Sequence, residues 1–359
     1  MVQGWERGTR DAGPGGDEGP ARRPAGRLRR GLLALLVAAA VAVPLAGAAV
    51  REFRPYFDVA PVYGHGPSLE EFTAQTPLTV GSPQQVVAGL DATYAAHRAN
   101  AAEAARTAAD HGHRDRAAAE RALSTRQLLH FDGRGAGLVT EVLGDLAHAG
   151  RVAVLVPGSD TGIDTYGRFR ATAVALHQRL TREAPTGVRT AVVAWLGYET
   201  PGTLSPSVAT TGRAEDAAPE LRSFVRDVRS VAAPRARISL LCHSYGSVVC
   251  ARAAAGLDVD DLVFLGSPGT GADTAAALHT RARVWAARGA GDWVEHVPHL
   301  DAGLFGITVG FGTDPVSRAY GAQVFAAGDG GHSDYFAPGS PSLANLTRIV
   351  LGRLQEVTR

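Results

Sequence analysis

The run Ile238-Ser239-Leu240-Leu241-Cys242-His243-Ser244-Tyr245-Gly246-Ser247 constrains this chain more than any other stretch of it. A short apolar strand leads into a small-His-Ser-x-Gly turn, and a helix-compatible stretch follows from Val248 to Ala255. This is the layout of a nucleophile elbow. The serine sits on a sharp strand-to-helix turn, its hydroxyl stands above the end of a sheet, and the next backbone N–H faces a developing oxyanion. Small residues are needed on both sides because the helix packs back on the strand. Gly246 supplies one of them, while Cys242 stands where glycine is usual, so the pattern is G-x-S-x-G with one substitution. Ser-x-Gly alone says little in a chain with 43 glycines; the flanking strand and helix give it weight.

A serine hydroxyl is a poor nucleophile at neutral pH. It needs a histidine base, and the base needs an acid to fix its tautomer. On a sheet carrying such an elbow the partners follow in the order acid, then histidine, each on a loop after a strand. Asp292 follows the apolar strand Arg283 to Ala287 through Gly289-Ala290-Gly291 and is the expected acid. Asp301 and Asp314 fall in a stretch read as a long loop with no strand directly before them, and Asp314 is the second choice. His332 lies in Gly328-Asp329-Gly330-Gly331-His332-Ser333-Asp334-Tyr335, after the last expected strand, and is the expected base. His243 adjoins the serine, but neighbours on a tight turn point different ways, so it reads as a packing or hydrogen-bonding residue. Two N–H donors must face the oxyanion. They are assigned to Tyr245 and to Ser159, in the Pro157-Gly158-Ser159 loop where Gly158 gives the backbone freedom.

Other motifs are set aside. His296-x-x-His299-x-Asp301 lacks a helical His-Glu-x-x-His context and has a proline between its histidines, so no metal is expected. Gly269-Thr270-Gly271 has neither the lysine of a phosphate loop nor dinucleotide spacing, and reads as a turn. The chain contains no lysine at all, which excludes a Walker lysine, a Ser-x-x-Lys nucleophile and Schiff-base chemistry. No cofactor is expected. A net charge of +1 gives no reason to expect nucleic acid as a partner. The two cysteines, Cys242 and Cys250, are too few for a disulfide framework and read as small buried hydrophobes.

Along the chain, residues 1–26 are rich in Gly, Pro and charge and read as a disordered tail. Arg27-Leu28-Arg29-Arg30 then precedes an uncharged apolar run of 20 residues, Gly31 to Val50. Segment 27–50 fits a transmembrane anchor with its basic flank on the cytoplasmic side. It equally fits a signal peptide cleaved near Ala46-Gly47-Ala48. Either places the rest of the chain outside the cytoplasm, in the cell envelope or beyond. Residues 51–83 read as a linker, and 84–126 as two Ala-rich antiparallel helices broken near Gly112, an accessory layer with a thin apolar stripe (Val87, Leu90, Tyr94). From 127 to 359 strands alternate with helices. Strands are expected at 128–131, 137–142, 151–156, 190–196, 237–241, 261–265, 283–287 and 323–326, and helices at 171–182, 215–231, 248–255 and 343–354. That alternation predicts an α/β fold with a mostly parallel sheet covered on both faces.

The motifs Val156-Pro157-Gly158, Cys-His-Ser-Tyr-Gly, Gly-Ser-Pro-Gly, Gly-Asp-Trp-Val and Gly-His-Ser-Asp-Tyr-Phe together resemble an actinobacterial α/β-hydrolase family long catalogued as a domain of unknown function. The resemblance covers roughly 128–359. It implies the α/β-hydrolase fold with Ser244 as nucleophile, Asp292 as acid and His332 as base, and it supplies no substrate. The expected activity is hydrolysis of a small-molecule or lipid-like carboxylic ester through an acyl-enzyme. An acyltransferase or amidase using the same triad, or a silent fold used for binding, are the alternatives. Tyr198, Trp293, Phe305 and Phe311 either line an apolar pocket or pack in loops.

Overall fold

The computed structural model describes residues 82–359 apart from 204, 206, 207, 209, 298–300, 305 and 306, and apart from the side chains of 301–304 and 307–309. The tail, the apolar segment and nearly all of the linker expected over 1–83 lie outside the described residues. Among those described, no helix is long and apolar enough to cross a membrane.

Helix α1 (Pro83–Asp110) starts on a capping box: Ser82 accepts from the Gln85 N–H, and the Gln85 side chain accepts from the Ser82 N–H. It ends before Gly112, whose φ of +79° turns the chain toward α2 (Arg114–Leu123). The sheet then opens with β1 (Gln127–Asp132) and β2 (Leu138–Gly144), an antiparallel pair. Thereafter β3 (Arg151–Val156), α3 (Tyr166–Glu183), β4 (Thr190–Leu196), α4 (Gly212–Val231), β5 (Arg237–His243), α5 (Gly246–Ala253), β6 (Asp261–Leu265) and β7 (Arg283–Ala287) alternate. A two-stranded ribbon, β8 (Asp301–Leu304) with β9 (Ile307–Gly310), occupies the stretch expected to be loop, so Asp301 opens a strand. Strand β10 (Gln323–Val324) and helix α6 (Pro341–Leu351) follow.

The order across the eight-stranded sheet is β1-β2-β4-β3-β5-β6-β7-β10. Every pairing from β4 to β10 is parallel, while β2 runs antiparallel to β4. This is the α/β-hydrolase fold. Its parallel strands β3, β4, β6 and β7 are apolar at all but their first position because each face is covered. Val152, Val154 and Val156 of β3 enter one core with Leu221, Val225 and Val228 of α4 and Val248 and Val249 of α5. Ala153 and Leu155 point the other way, into a core with Leu176 and Leu180 of α3 and Leu346 and Ile349 of α6. The N-terminal helices pack on the sheet. Leu90 and Tyr94 enter the first core, and Ala101, Ala104 and Leu123 the second.

The same alternation corrects the reading of the cysteines. Cys242, on β5, points to the face that carries α5 and lies in the first core with Cys250. The two form a disulfide with Cα atoms 6.4 Å apart, rather than two separate buried thiols. The residue standing in place of the usual glycine therefore cross-links the strand of the elbow to its helix.

Candidate active site

Ser244 sits between β5 and α5 with φ of +54°, in the left-handed region that non-glycine residues rarely occupy. Its N–H donates to the Leu265 carbonyl at the end of β6 (2.9 Å), which ties the turn to the neighbouring strand. Such a conformation persists only where its surroundings enforce it. Gly246 is one enforcer, since a Cβ there would lie 2.5 Å from the Pro157 carbonyl oxygen and 2.7 Å from that of Val156. Gly158 is another. Its φ is not positive, so its value is not the conformational freedom that the sequence suggests. A Cβ at Gly158 would stand 2.6 Å from Ser244 Cβ and 3.2 Å from Ser244 Oγ. The loop after β3 thus lies against the serine, and only glycine leaves room for it.

The loop is held from the far side. Tyr198 donates its hydroxyl to the Pro157 carbonyl (2.7 Å), and the Thr161 N–H donates to Thr200 Oγ1 (3.0 Å). Asp160 has φ of +56°, donates its N–H to the Pro201 carbonyl and accepts from the Thr203 N–H. Tyr198 is therefore a brace, not a pocket wall. The half-exposed Ser159 lies between these anchors. The N–H groups of Ser159 and Tyr245 take part in no backbone hydrogen bond of a loop, turn or cap among the described residues.

His332 faces the serine, with Nε2 2.9 Å from Ser244 Oγ. Its Nδ1 lies 3.0 and 3.1 Å from the two carboxylate oxygens of Asp292. The structure thus brings Ser244, His332 and Asp292 together in one hydrogen-bonded series. Asp314 is elsewhere, its carboxylate accepting from Arg288 (2.6 Å). Asp292 is 2 % exposed. Burial alone would raise its carboxyl, but hydrogen bonds from His332, Tyr335 and the Val294 N–H, with the charge of His332, outweigh it and hold the group below the usual carboxylate range.

Two contacts complete the site, and that of Tyr335 goes beyond the roles that the sequence assigns. Tyr335, three residues beyond His332, donates its phenol to Asp292 Oδ2 (2.5 Å) and accepts from the Gly289 N–H (3.1 Å). Burial first, and then this donation to a carboxylate, push the phenol well up. The signal lies in the Gly-His-Ser-Asp-Tyr run itself, but nothing in its spacing tells a partner of the acid from a core tyrosine. His243 lies with Nε2 2.7 Å from the His332 carbonyl, where it donates, and its ring is 4.6 Å from that of His332. Desolvation, and then repulsion from a charged His332, push it down to about 4. It stays neutral near pH 7 and acts as a tether, in keeping with its reading as a hydrogen-bonding residue.

Of the aromatic candidates, Phe311 is buried, packed edge-on to Tyr245, and Phe305 lies outside the described residues. Trp293 is 43 % exposed, its ring 4.8 Å from that of His332. His299 and Asp301 lie outside the described side chains. No group of three metal-ligating residues occurs among those described. At Gly269-Thr270-Gly271 the N–H groups of Thr270 and Gly271 donate to the Phe311 carbonyl, so that turn is tied to protein backbone.

A family profile described as "Alpha/beta hydrolase" matches residues 132–302, a span that holds Ser244 and Asp292 and ends before His332. An uncharacterized protein of Mycobacterium tuberculosis is 31 % identical over 250 residues, 62 % of this chain and 38 % of that protein. An uncharacterized protein of Mycobacterium bovis is 34 % identical over 138 residues, 36 % of this chain and 51 % of its own length. The chain thus spans between 38 % and 51 % of the length of these curated relatives. Among solved structures, an "a/b serine hydrolase without lid" from Xanthomonas campestris is 20 % identical, with a TM-score of 0.38 over 65 % of this chain and 96 % of its own. Esterase PE8 is 17 % identical, with a TM-score of 0.41 over 61 % and 99 %.

The approach of Gly158 to the serine yields a prediction. Gly158→Ala displaces either Ser244 or the loop bearing Ser159. Misplacing reacting groups by about 1 Å costs on the order of 10²-fold in rate. Labelling of the folded variant by a fluorophosphonate probe should slow by about that factor; labelling at the parent rate would show that the approach does not govern the serine.

Proposed function

We propose that this chain is a serine hydrolase that cleaves carboxylic esters through an acyl-enzyme on Ser244. The observation that carries this reading is the unbroken relay from Ser244 Oγ to His332 Nε2 (2.9 Å) and from His332 Nδ1 to Asp292 (3.0 Å). Ser244 Oγ attacks the ester carbonyl carbon while its proton passes to Nε2. The carbonyl oxygen becomes an oxyanion, received by the N–H groups of Tyr245 and Ser159. The tetrahedral intermediate collapses, the bond to the alcohol oxygen breaks, and that oxygen leaves with the proton from Nε2. Water then attacks the acyl-serine and gives its proton to Nε2. Collapse releases the acid and returns the proton to Ser244. Asp292 stays ionised throughout and steadies the imidazolium that forms twice in each cycle. Burial of Asp292 and its several donors serve that task.

The setting proposed for this chemistry is outside the cytoplasm, with the chain secreted or held at the membrane by its N-terminal apolar segment. Two independent features support it. The run Gly31 to Val50 has its basic flank on the N-terminal side. The Cys242–Cys250 disulfide is of the kind that persists in oxidising compartments. A C-terminal alkaline phosphatase fusion should be active in intact cells and lose that activity when 27–50 is deleted. Activity that is absent from the full-length fusion would overturn the proposed location.

The chemistry predicts a graded series of variants. Ser244→Ala and His332→Ala should each lower kcat on a p-nitrophenyl ester by about 10⁴ to 10⁶, and their combination should be little worse, since the residues act as a unit. Asp292→Asn should be the mildest, near 10⁴, with a residual rate that rises with pH as the imidazole deprotonates. Near-parent turnover by a folded Ser244→Ala variant would end the serine-hydrolase reading. Full activity of Asp292→Asn would move the acid elsewhere.

A further inference from the structure

The side chains beside His332 differ in one respect. Asp292 holds the Nδ1 edge of the imidazole, and His243 is engaged by the His332 carbonyl. Trp293 makes neither kind of bond to His332. It lies with its ring 4.8 Å from the imidazole, and 43 % of it faces solvent. Among the described residues, Val324 on β10 is the only other large hydrophobic residue so exposed. Trp293 belongs to neither core cluster. Its neighbours on both sides, Asp292 and Val294, are buried and fix the backbone that presents it. A flat apolar surface is thus held open beside the base, while Tyr198 and Phe311 offer none because they are buried.

Its position beside His332 says what would use it. When the acyl-enzyme forms, the bond from the carbonyl carbon to the alcohol oxygen breaks and that oxygen takes the proton of Nε2. The leaving oxygen must therefore come within hydrogen-bond reach of Nε2, and its substituent lies beside whatever borders the imidazole. In the second half of the cycle water occupies that place, and water has no substituent to bind. We propose that Trp293 is the platform for the leaving group, and that the preferred substrates are esters of apolar, aromatic alcohols. This rests on the hydrolase reading above. A ring on the indole face buries apolar area and gains an aromatic pair contact.

The test compares esters that share an acetyl group, and therefore one acyl-enzyme. Trp293→Ala should lower kcat/KM for 2-naphthyl acetate by about 10- to 100-fold, the discrimination one apolar contact supplies. For ethyl acetate the loss should be no more than about threefold, and the deacylation constant measured after the acetylation burst should move less than about twofold. Trp293→Phe should recover most of the aryl preference. A merely structural role for Trp293, acting through the orientation of His332, would slow both esters and deacylation alike, and that result overturns the proposal. A second readout needs no turnover. In Ser244→Ala, saturation-transfer NMR should show contact with the ring protons of 2-phenylethanol, and the additional change Trp293→Ala should remove it. If the parent protein hydrolyses no ester, the hydrolase reading fails and the leaving-group role falls with it, even where this contact is seen. If esters are hydrolysed but the contact is missing or indifferent to Trp293, the platform fails alone.

Discussion

Everything at this site depends on the backbone of Ser244, held at a positive φ where β5 turns into α5. A serine does not adopt that conformation unaided; the cost is of order 1 to 3 kcal/mol and must be met by the surroundings. Three features meet it. Gly246 lets the start of α5 touch the carbonyls that end β3, Gly158 lets the next loop touch the serine, and the Ser244 N–H is bonded to the end of β6. The disulfide from Cys242 to Cys250 joins the strand before the turn to the helix after it, so the two arms of the elbow cannot separate.

The second dependence is on how the loops of the acid and the base are fastened to each other and to the elbow. The Ala290 N–H donates to the Gly328 carbonyl (3.0 Å), and a Cβ at Gly291 would lie 2.9 Å from the Asp329 carbonyl oxygen. Gly289 and Gly291 before Asp292 thus serve close backbone approach, since a Cβ at Gly289 would likewise lie 2.2 Å from the Gly330 carbonyl oxygen. Tyr335 closes the same seam by bonding both Asp292 and the Gly289 N–H. His243 joins the base loop to the elbow. The result is a buried carboxylate held ionised by several donors, a neutral histidine spanning two loops, and an imidazole positioned between acid and serine before any substrate arrives. Preorganisation of this kind lets fixed dipoles replace the solvent reorganisation that a reaction in water requires.

The sheet is legible in the sequence because its signals are local. Apolar runs bounded by Gly, Pro and charge place β3, β4, β6 and β7 at the bounds that the structure has. That Ser244, Asp292 and His332 meet is readable from their order, since loops following parallel strands gather at one end of a sheet. The features that stay hidden depend on packing. Cys242 and Cys250 are eight residues apart, and nothing in that spacing says that a strand face and a helix face will align them. Gly158 reads as a source of backbone freedom, whereas its role is to vacate space, which only the approach of Ser244 reveals. Tyr198 reads equally as a pocket wall or a loop-packing residue, and only the packed structure shows its hydroxyl on the Pro157 carbonyl. The β8–β9 ribbon is hidden by the glycines of 300–312, which weaken any strand pattern.

The claim on which the rest turns is that Ser244 carries the acyl group during the reaction. Rapid quenching of the parent protein within the first turnovers of a p-nitrophenyl ester, followed by peptide mass spectrometry, tests it directly. One acyl group should be found per chain, on Ser244, and it should be lost on the timescale of the steady-state rate. Steady turnover with no adduct on Ser244, or an adduct on a different residue that forms and decays at the catalytic rate, would contradict it.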